Sequence, residues 1–196
     1  MFEIWGTLNG VNKEKDERLS AYFTNIITAE SEKPLFVPPF FKLWKERIEN
    51  EPVSILTFRN VRHENSPYVT ANQLKLALHE FSPLKEKILV ALPTESCDFN
   101  LRKGISVPLT LNIANFKAAA KCCKIFFDES IGSSYFTYMS KNSPHLVWVE
   151  DTKALAYKHN IIKEAGFRGI YWDNPYLLLE GNWEALTSVY KKRTSR

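Results

Sequence analysis

Four places in this 196-residue sequence set carboxylates, a guanidinium and aromatic rings where they could act together. Glu3 and Trp5 alternate near the start, so an extended backbone puts both on one face. Phe58 and Arg59 end the apolar run 53–58. Glu95 and Asp98 follow the apolar run 88–92, which Pro93 stops. Trp172 and Asp173 close the stretch Gly-Phe-Arg-Gly-Ile-Tyr-Trp-Asp-Asn at 166–174. Carboxyl groups can exchange protons, and the aromatic rings suit core packing and sugar stacking alike. Glu95 is the one candidate for a general acid, against a role as a solvated loop carboxylate. Glu3 beside an interior indole needs a partner, and Arg59 is the candidate. Asp173 stands equally as a ligand contact and as a structural hydrogen-bond acceptor. The histidines 63, 79, 145 and 159 and the cysteines 97, 122 and 123 show no metal-ligand spacing, so free thiols and no metal or cofactor are expected.

The elements that must position these residues alternate along the chain. Residues 1–5 read as a strand. Residues 13–29 carry Leu19, Tyr22, Phe23, Ile26 and Ile27 at helical spacing. A strand at 34–37, stopped by Pro38-Pro39, precedes a short helix at 40–48 and a strand at 53–58. Thr70 is a candidate cap for a helix with Leu74, Ala77, Leu78 and Phe81 on one face. The continuous apolar run 88–92 is typical of a strand buried on both faces. Residues 97–111 are less regular, and 113–123 suit a helix. Short strands at 124–128, 135–139 and 145–149 suit a small antiparallel insertion. Thr152 is the expected cap of a helix over 153–165, with Gly166 at its C-terminal end. A strand to Trp172 and a last helix around 183–192 follow. Strand and helix in alternation predict an α/β fold with a parallel sheet.

Composition supports one globular domain over 1–196: 44% hydrophobic, 24% charged and 13% aromatic residues. The net charge of +4 is mild, and the basic tail at 191–196 reads as a solvated end, so no nucleic-acid partner is expected. No apolar run is long enough for a membrane span, and the N-terminus does not read as a signal peptide.

Phe2-Glu3-Ile4-Trp5, Leu35-Phe36-Val37-Pro38-Pro39, Ser54-Ile55-Leu56-Thr57-Phe58-Arg59, Lys87-Ile88-Leu89-Val90-Ala91-Leu92-Pro93 and Gly166 to Trp172 follow in order. Together they resemble strands four to eight of a glycoside hydrolase family 18 barrel. The resemblance implies a partial (β/α)8 TIM barrel, with the antiparallel insertion at 124–149 placed before the last crossover helix. It implies that Trp172 floors a sugar-binding cleft, with Trp5 on the same face. Family-18 hydrolases carry Asp-x-x-Asp-x-Asp-x-Glu on the fourth strand, and the final Glu protonates the glycosidic oxygen. Here Trp5 takes that place and Glu3 the place of the Asp two before it. Indole has no proton acidic enough for general acid work. The sixth strand of active members ends Met-x-Tyr-Asp, where this chain has Leu56, Thr57, Phe58 and Arg59.

A complete barrel takes roughly 250 residues, and Met1 falls inside the fourth-strand motif, so the first three strands are expected to be missing. The arc is then expected to leave residues 2–5 and 169–172 as open edges. The resemblance implies a non-catalytic chitinase-like protein that binds a chitin-like or other amino-sugar oligosaccharide through Trp172, Trp5, Glu3, Glu95, Asp98, Phe58, Arg59 and Asp173. A protein partner, or the missing N-terminal half of the barrel, is the other candidate ligand. The alternatives are a glycosidase with a relocated acid and a barrel fragment without activity of its own. The family's products are lumenal or secreted.

Overall fold

The computed structural model describes residues 3–6, 25–28, 49, 54–58 and 65–173, with the side chains of 49, 56, 58 and 65–171. The elements in chain order are β1 (Glu3–Gly6), β2 (Asn25–Thr28), β3 (Ser54–Thr57), α1 (Ala71–Glu80), a 3-10 segment (Ser82–Lys87), β4 (Ile88–Pro93), β5 (Ser96–Asn100), β6 (Ile105–Leu109), α2 (Leu111–Ala120), β7 (Phe126–Asp128), β8 (Ser133–Ser140), β9 (Ser143–Val149), α3 (Thr152–Glu164) and β10 (Gly169–Asp173). The expected strand at 34–37 and helices at 40–48 and 183–192 lie outside the described residues.

The first sheet has the order β1-β10-β4-β3-β2, and every neighbouring pair in it is parallel. On one face, Ile88, Val90 and Leu92 of β4, Ile170 of β10, and Leu56 with Phe58 pack against Leu74, Ala77 and Leu78 of α1 and Leu155 and Ile162 of α3. Each Leu, Ile, Val or Phe among them contributes roughly 1.5–3 kcal/mol by leaving water. Leu89 and Ala91, which alternate with them, are buried too. Burial on both faces is why β4 reads as an unbroken apolar run.

Two expectations about this sheet are corrected. Asn25–Thr28 is a strand paired with β3, not the end of a helix. Ile26, Ile27 and Thr28 are β-branched, and their restricted side chains suit an extended backbone better than a crowded helical turn. Of the two expected edges, 2–5 is one and 169–172 is not, because β10 lies between β1 and β4 and pairs with β1, Glu3 to Gly169 through Gly6 to Trp172. The edges are therefore β1 and β2, and among the described residues the sheet does not close into a barrel.

Local capping fixes where the helices start and stop. Thr70 and Gln73 form a reciprocal box at the start of α1: the Gln73 amide donates to Thr70 Oγ1 (3.2 Å) and the Thr70 amide to Gln73 Oε1 (2.9 Å). Asp151, rather than Thr152, caps α3, its Oδ1 accepting from the Ala154 amide at 2.9 Å. A carboxylate at that position also complements the helix dipole, which a threonine hydroxyl does not. At the other end Gly166 takes φ +76°. Its amide donates to Lys163 O at 3.1 Å and the Phe167 amide to Ile162 O at 3.4 Å. Phe167 and Ile162 then meet in the core, which completes a Schellman stop and turns the chain into β10.

Between β4 and α3 lies a second sheet, antiparallel, in the order β6-β5-β9-β8-β7. It begins at Ser96, well before residue 124, because the stretch read as irregular is the β5–β6 hairpin. One face is covered by α2 through Leu111, Ala114 and Ala118 against Phe136, Val147 and Val149. The other carries Cys97, Phe99 and Trp148, with Tyr135 and Leu146 beside them. Edge strand β6 contains Pro108, which has no amide to offer to another strand. Lys141 and Asn142, at φ 46° and 59°, make the tight two-residue turn between β8 and β9.

A buried ion pair fastens this layer to the parallel sheet. Lys158 Nζ of α3 donates to both Glu150 carboxylate oxygens at 2.7 Å and to Ser133 Oγ at 3.0 Å. Ser133 Oγ donates to Glu150 Oε1 at 2.8 Å, and the Glu150 amide donates to Ser96 Oγ at 3.1 Å. Lys158 and Glu150 are 1% and 2% exposed, so all three ammonium protons are used away from water.

Candidate functional site

Sites in α/β barrels form at the C-terminal ends of the strands. In the parallel sheet that end holds Trp5 and Gly6 of β1, Trp172 and Asp173 of β10, Leu92 and Pro93 of β4, and the residues that follow β3 and β4. The register pairs Trp5 with Tyr171, which in turn pairs with Ala91, whereas Trp172 pairs with Gly6 and Leu92. Residues opposite one another share a face, so Trp5 and Tyr171 belong to one face and Trp172 to the position between. The expected sharing of a face by Trp5 and Trp172 is thereby corrected. Glu3 pairs with Gly169 and Asp173 with Pro93, which puts both on the Trp5 side of the sheet.

Glu95 follows β4 by two residues and is half-buried. Its Oε2 accepts a hydrogen bond from the hydroxyl of Tyr68, which lies in the segment leading into α1. In the same segment Asn65 O accepts from Trp148 Nε1 at 2.7 Å. Trp148 begins a row of rings across β9, β8 and β7, with centroids 5.5 Å apart for Trp148–Tyr135 and 5.9 Å for Tyr135–Phe126. Phe126, at the outer end of the row, is 50% exposed. The geometry therefore joins the candidate acid Glu95 to Tyr68, and brings the antiparallel layer's aromatic face against the segment after β3.

Two residues expected at the site are occupied elsewhere. Phe58 is 1% exposed and packed within the core shared with α1 and α3, so it has no free ring face for a sugar. Asp98 is buried on the α2 side of the antiparallel layer. Its Oδ2 accepts from Lys117 Nζ (2.5 Å) and from Tyr138 Oη (2.7 Å), and its Oδ1 from His145 Nδ1 (2.8 Å). Asn100 Nδ2 lies 3.2 Å from His145 Nε2, and the Tyr138 and His145 rings stack at 4.6 Å. Burial by itself would raise the Asp98 pKa, but the hydrogen bonds from Lys117, Tyr138 and His145 outweigh it and hold the carboxyl below its ordinary range. Arg59, and with it the expected Glu3–Arg59 pair, lies outside the described residues.

Sequence reading missed Tyr68, Tyr171 and the Tyr135–Trp148 pair. Tyr171 carried a usable signal, since it is two residues from Gly169 and adjacent to Trp172, and alternation forces one of the pair onto each face. Tyr68 carried none, because its role rests on a contact with Glu95 across a long loop. Among the described residues no three His, Cys, Asp or Glu side chains are grouped to hold a metal, and no helix is long and apolar enough to cross a membrane.

No protein-family model matches the chain. A curated relative, the cortical fragment-lytic enzyme of Bacillus subtilis (strain 168), is 33% identical over 75 residues, 37% of this chain and 17% of that enzyme. The chitinase of Chromobacterium violaceum superposes with a TM-score of 0.70 at 18% identity, over 86% of this chain and 55% of its own. The fold resembles part of a glycoside hydrolase family 18 barrel. The family-18-like framework also superposes on the spore cortex-lytic enzyme SleL of Bacillus megaterium QM B1551, with a TM-score of 0.61 at 18% identity, over 75% of this chain and 36% of that enzyme. This chain therefore spans only part of each of these proteins, and at these identities the solved structures speak for the fold.

Proposed function

We propose that the chain is a non-catalytic, chitinase-like protein that binds an amino-sugar oligosaccharide at the C-terminal end of the parallel sheet. The observation that carries the reading is Trp5 at the end of β1, paired in register with Tyr171. By the family-18 resemblance this is where a proton donor belongs, and an indole in its place supplies stacking area without an acidic proton. The Glu3-x-Trp5 pattern also resembles that of the stabilin-interacting chitinase-like proteins. Trp5 and Tyr171 form the platform, and Asp173 and Glu95 supply acceptors for sugar hydroxyls. Glu3 flanks the platform on the Trp5 side of the sheet. The ligand class is chitin-like, or the cortical fragments named for the Bacillus relative.

Tryptophan fluorescence titrated with chitotetraose tests this. A saturable change is expected for the wild-type chain. Removing one stacking ring costs on the order of 1–2 kcal/mol, so Tyr171→Ala and Trp5→Ala are expected to weaken binding roughly tenfold, and Trp172→Ala less. No saturable response from the wild-type chain contradicts the reading.

A second reading, hydrolysis with Glu95 as a relocated acid, is favoured by the place of that carboxyl just past β4. Its acceptor role toward Tyr68 weighs on the other side.

A further inference from the structure

The antiparallel layer is electrically lopsided. Residues 96–149 hold six basic residues (Arg102, Lys103, Lys117, Lys121, Lys124 and Lys141) and three acidic ones (Asp98, Asp128 and Glu129). The strand register separates them. Asp128 pairs with Ser133, at the end of the sheet fastened to α3, and Glu129 adjoins it. The basic residues gather toward the opposite end, at the β5–β6 and β8–β9 hairpin tips and the C-terminal end of α2. The two tips touch there, through Leu101 N–H donating to Pro144 O at 3.0 Å. The one acid at that end, Asp98, is buried and already bonded to Lys117, Tyr138 and His145. Arg102, Lys103, Lys121, Lys124 and Lys141 are exposed and make no ion pair among the described residues.

Aromatic rings lie among these charges. Lys117 and Lys121 place their ammonium groups 5.6 and 5.7 Å from the Tyr138 ring, and Lys124 stands 5.4 Å from the ring of half-exposed Phe126. Such rings steady the cations and offer apolar area beside them. A polyanion is drawn to this concentration of one sign, and a sugar polymer meets both features, with its anionic groups on the ammoniums and its C–H faces on the rings. Five of the six cations are Lys, which act as point charges. The planar Arg forks that favour phosphate are nearly absent, which argues against nucleic acid.

We infer that the hairpin-tip end of the antiparallel layer is a second binding surface, for an anionic glycan chain. This rests on the reading above only in taking the ligand to be a glycan, because the surface is separate from the Trp5–Tyr171 platform. The test is fluorescence anisotropy with a labelled heparin oligosaccharide at several salt concentrations, alongside the chitotetraose titration. Wild-type binding is expected to weaken steeply with salt. Lys121→Glu with Lys124→Glu is expected to lower affinity at least about tenfold and the salt slope by about two, since each cation contributes close to one released counterion. Arg102→Glu with Lys103→Glu, at an independent part of the surface, is expected to act in the same direction. Both double variants should bind chitotetraose as the wild type does. Loss of the chitotetraose response with heparin binding retained would refute the platform and leave this surface standing. Absence of salt-dependent heparin binding, unchanged affinity in both double variants, or tighter binding of single-stranded DNA or of anionic lipid vesicles than of heparin would overturn the inference.

Discussion

Lys158→Met is expected to destabilise the protein by about 3–5 kcal/mol, because it strands the Glu150 carboxylate where water does not reach. The methionine matches the lysine stem in length, so little packing is lost and the cost is electrostatic. Ser133 alone cannot replace an ammonium that bonds both carboxylate oxygens. Adding Glu150→Leu to Lys158→Met removes the uncompensated charge and is expected to recover most of the loss, since apolar replacements of buried pairs are often neutral or better. Urea denaturation of the wild type, the single and the double variant checks this. A single variant within 1 kcal/mol of wild type would mean that water reaches Glu150.

The second large effect is on pH dependence. His159 sits buried on α3, and burial first, with the charge of Lys163 second, pushes its pKa down from 6.5 to about 4. The unfolded chain therefore binds a proton between these values that the folded chain refuses, so acid favours unfolding across that window. Stability is expected to hold above about pH 6.5 and to fall by roughly 2–3 kcal/mol by pH 4.5, from the conversion of about 1.4 kcal/mol per unit. Asp98 works in the same sense lower down. Its carboxyl is held below 3.8, so the stability it contributes is present above that value and is lost as the pH falls through its folded pKa. Lys117, whose burial is outweighed by its bond to Asp98, is raised above 10.5, and its contribution is lost only when the pH climbs past that range. Denaturant midpoints at pH 7 and pH 4.5 for wild type and His159→Gln separate the first contribution. The drop between the two is expected to shrink in the variant, and an equal drop in both would remove His159 as its cause.

These residues also show what was legible beforehand. The α/β class, the unbroken run of β4, the Thr70 cap and the Gly166 stop are local properties, and the sequence states local properties directly. Lys158 and His159 fall on the same helical stripe as Ala154, Leu155 and Ile162, so their burial was readable from spacing. Their partners were not, because Glu150 and Ser133 meet Lys158 only through the tertiary fold. The β5–β6 hairpin escaped for a related reason: Cys97 and Phe99 alternate with Asp98 and Asn100, and a buried carboxylate breaks the apolar pattern that marks a strand. Residues 25–28 satisfied a helical stripe and a β-branched strand alike, and pairing with β3 decided between them. At the site, the family-18 resemblance implied sugar binding, but which ring shares a face with Trp5 depended on the register of β1 against β10.

Whether an indole has ended hydrolysis at this site is decided by turnover. A fluorogenic aryl chitobioside incubated with the wild-type chain and with Glu95→Gln should release its aglycone no faster than in buffer, from either protein. Release by the wild type that disappears in Glu95→Gln would contradict the non-catalytic reading and assign the proton to the carboxyl beside Tyr68.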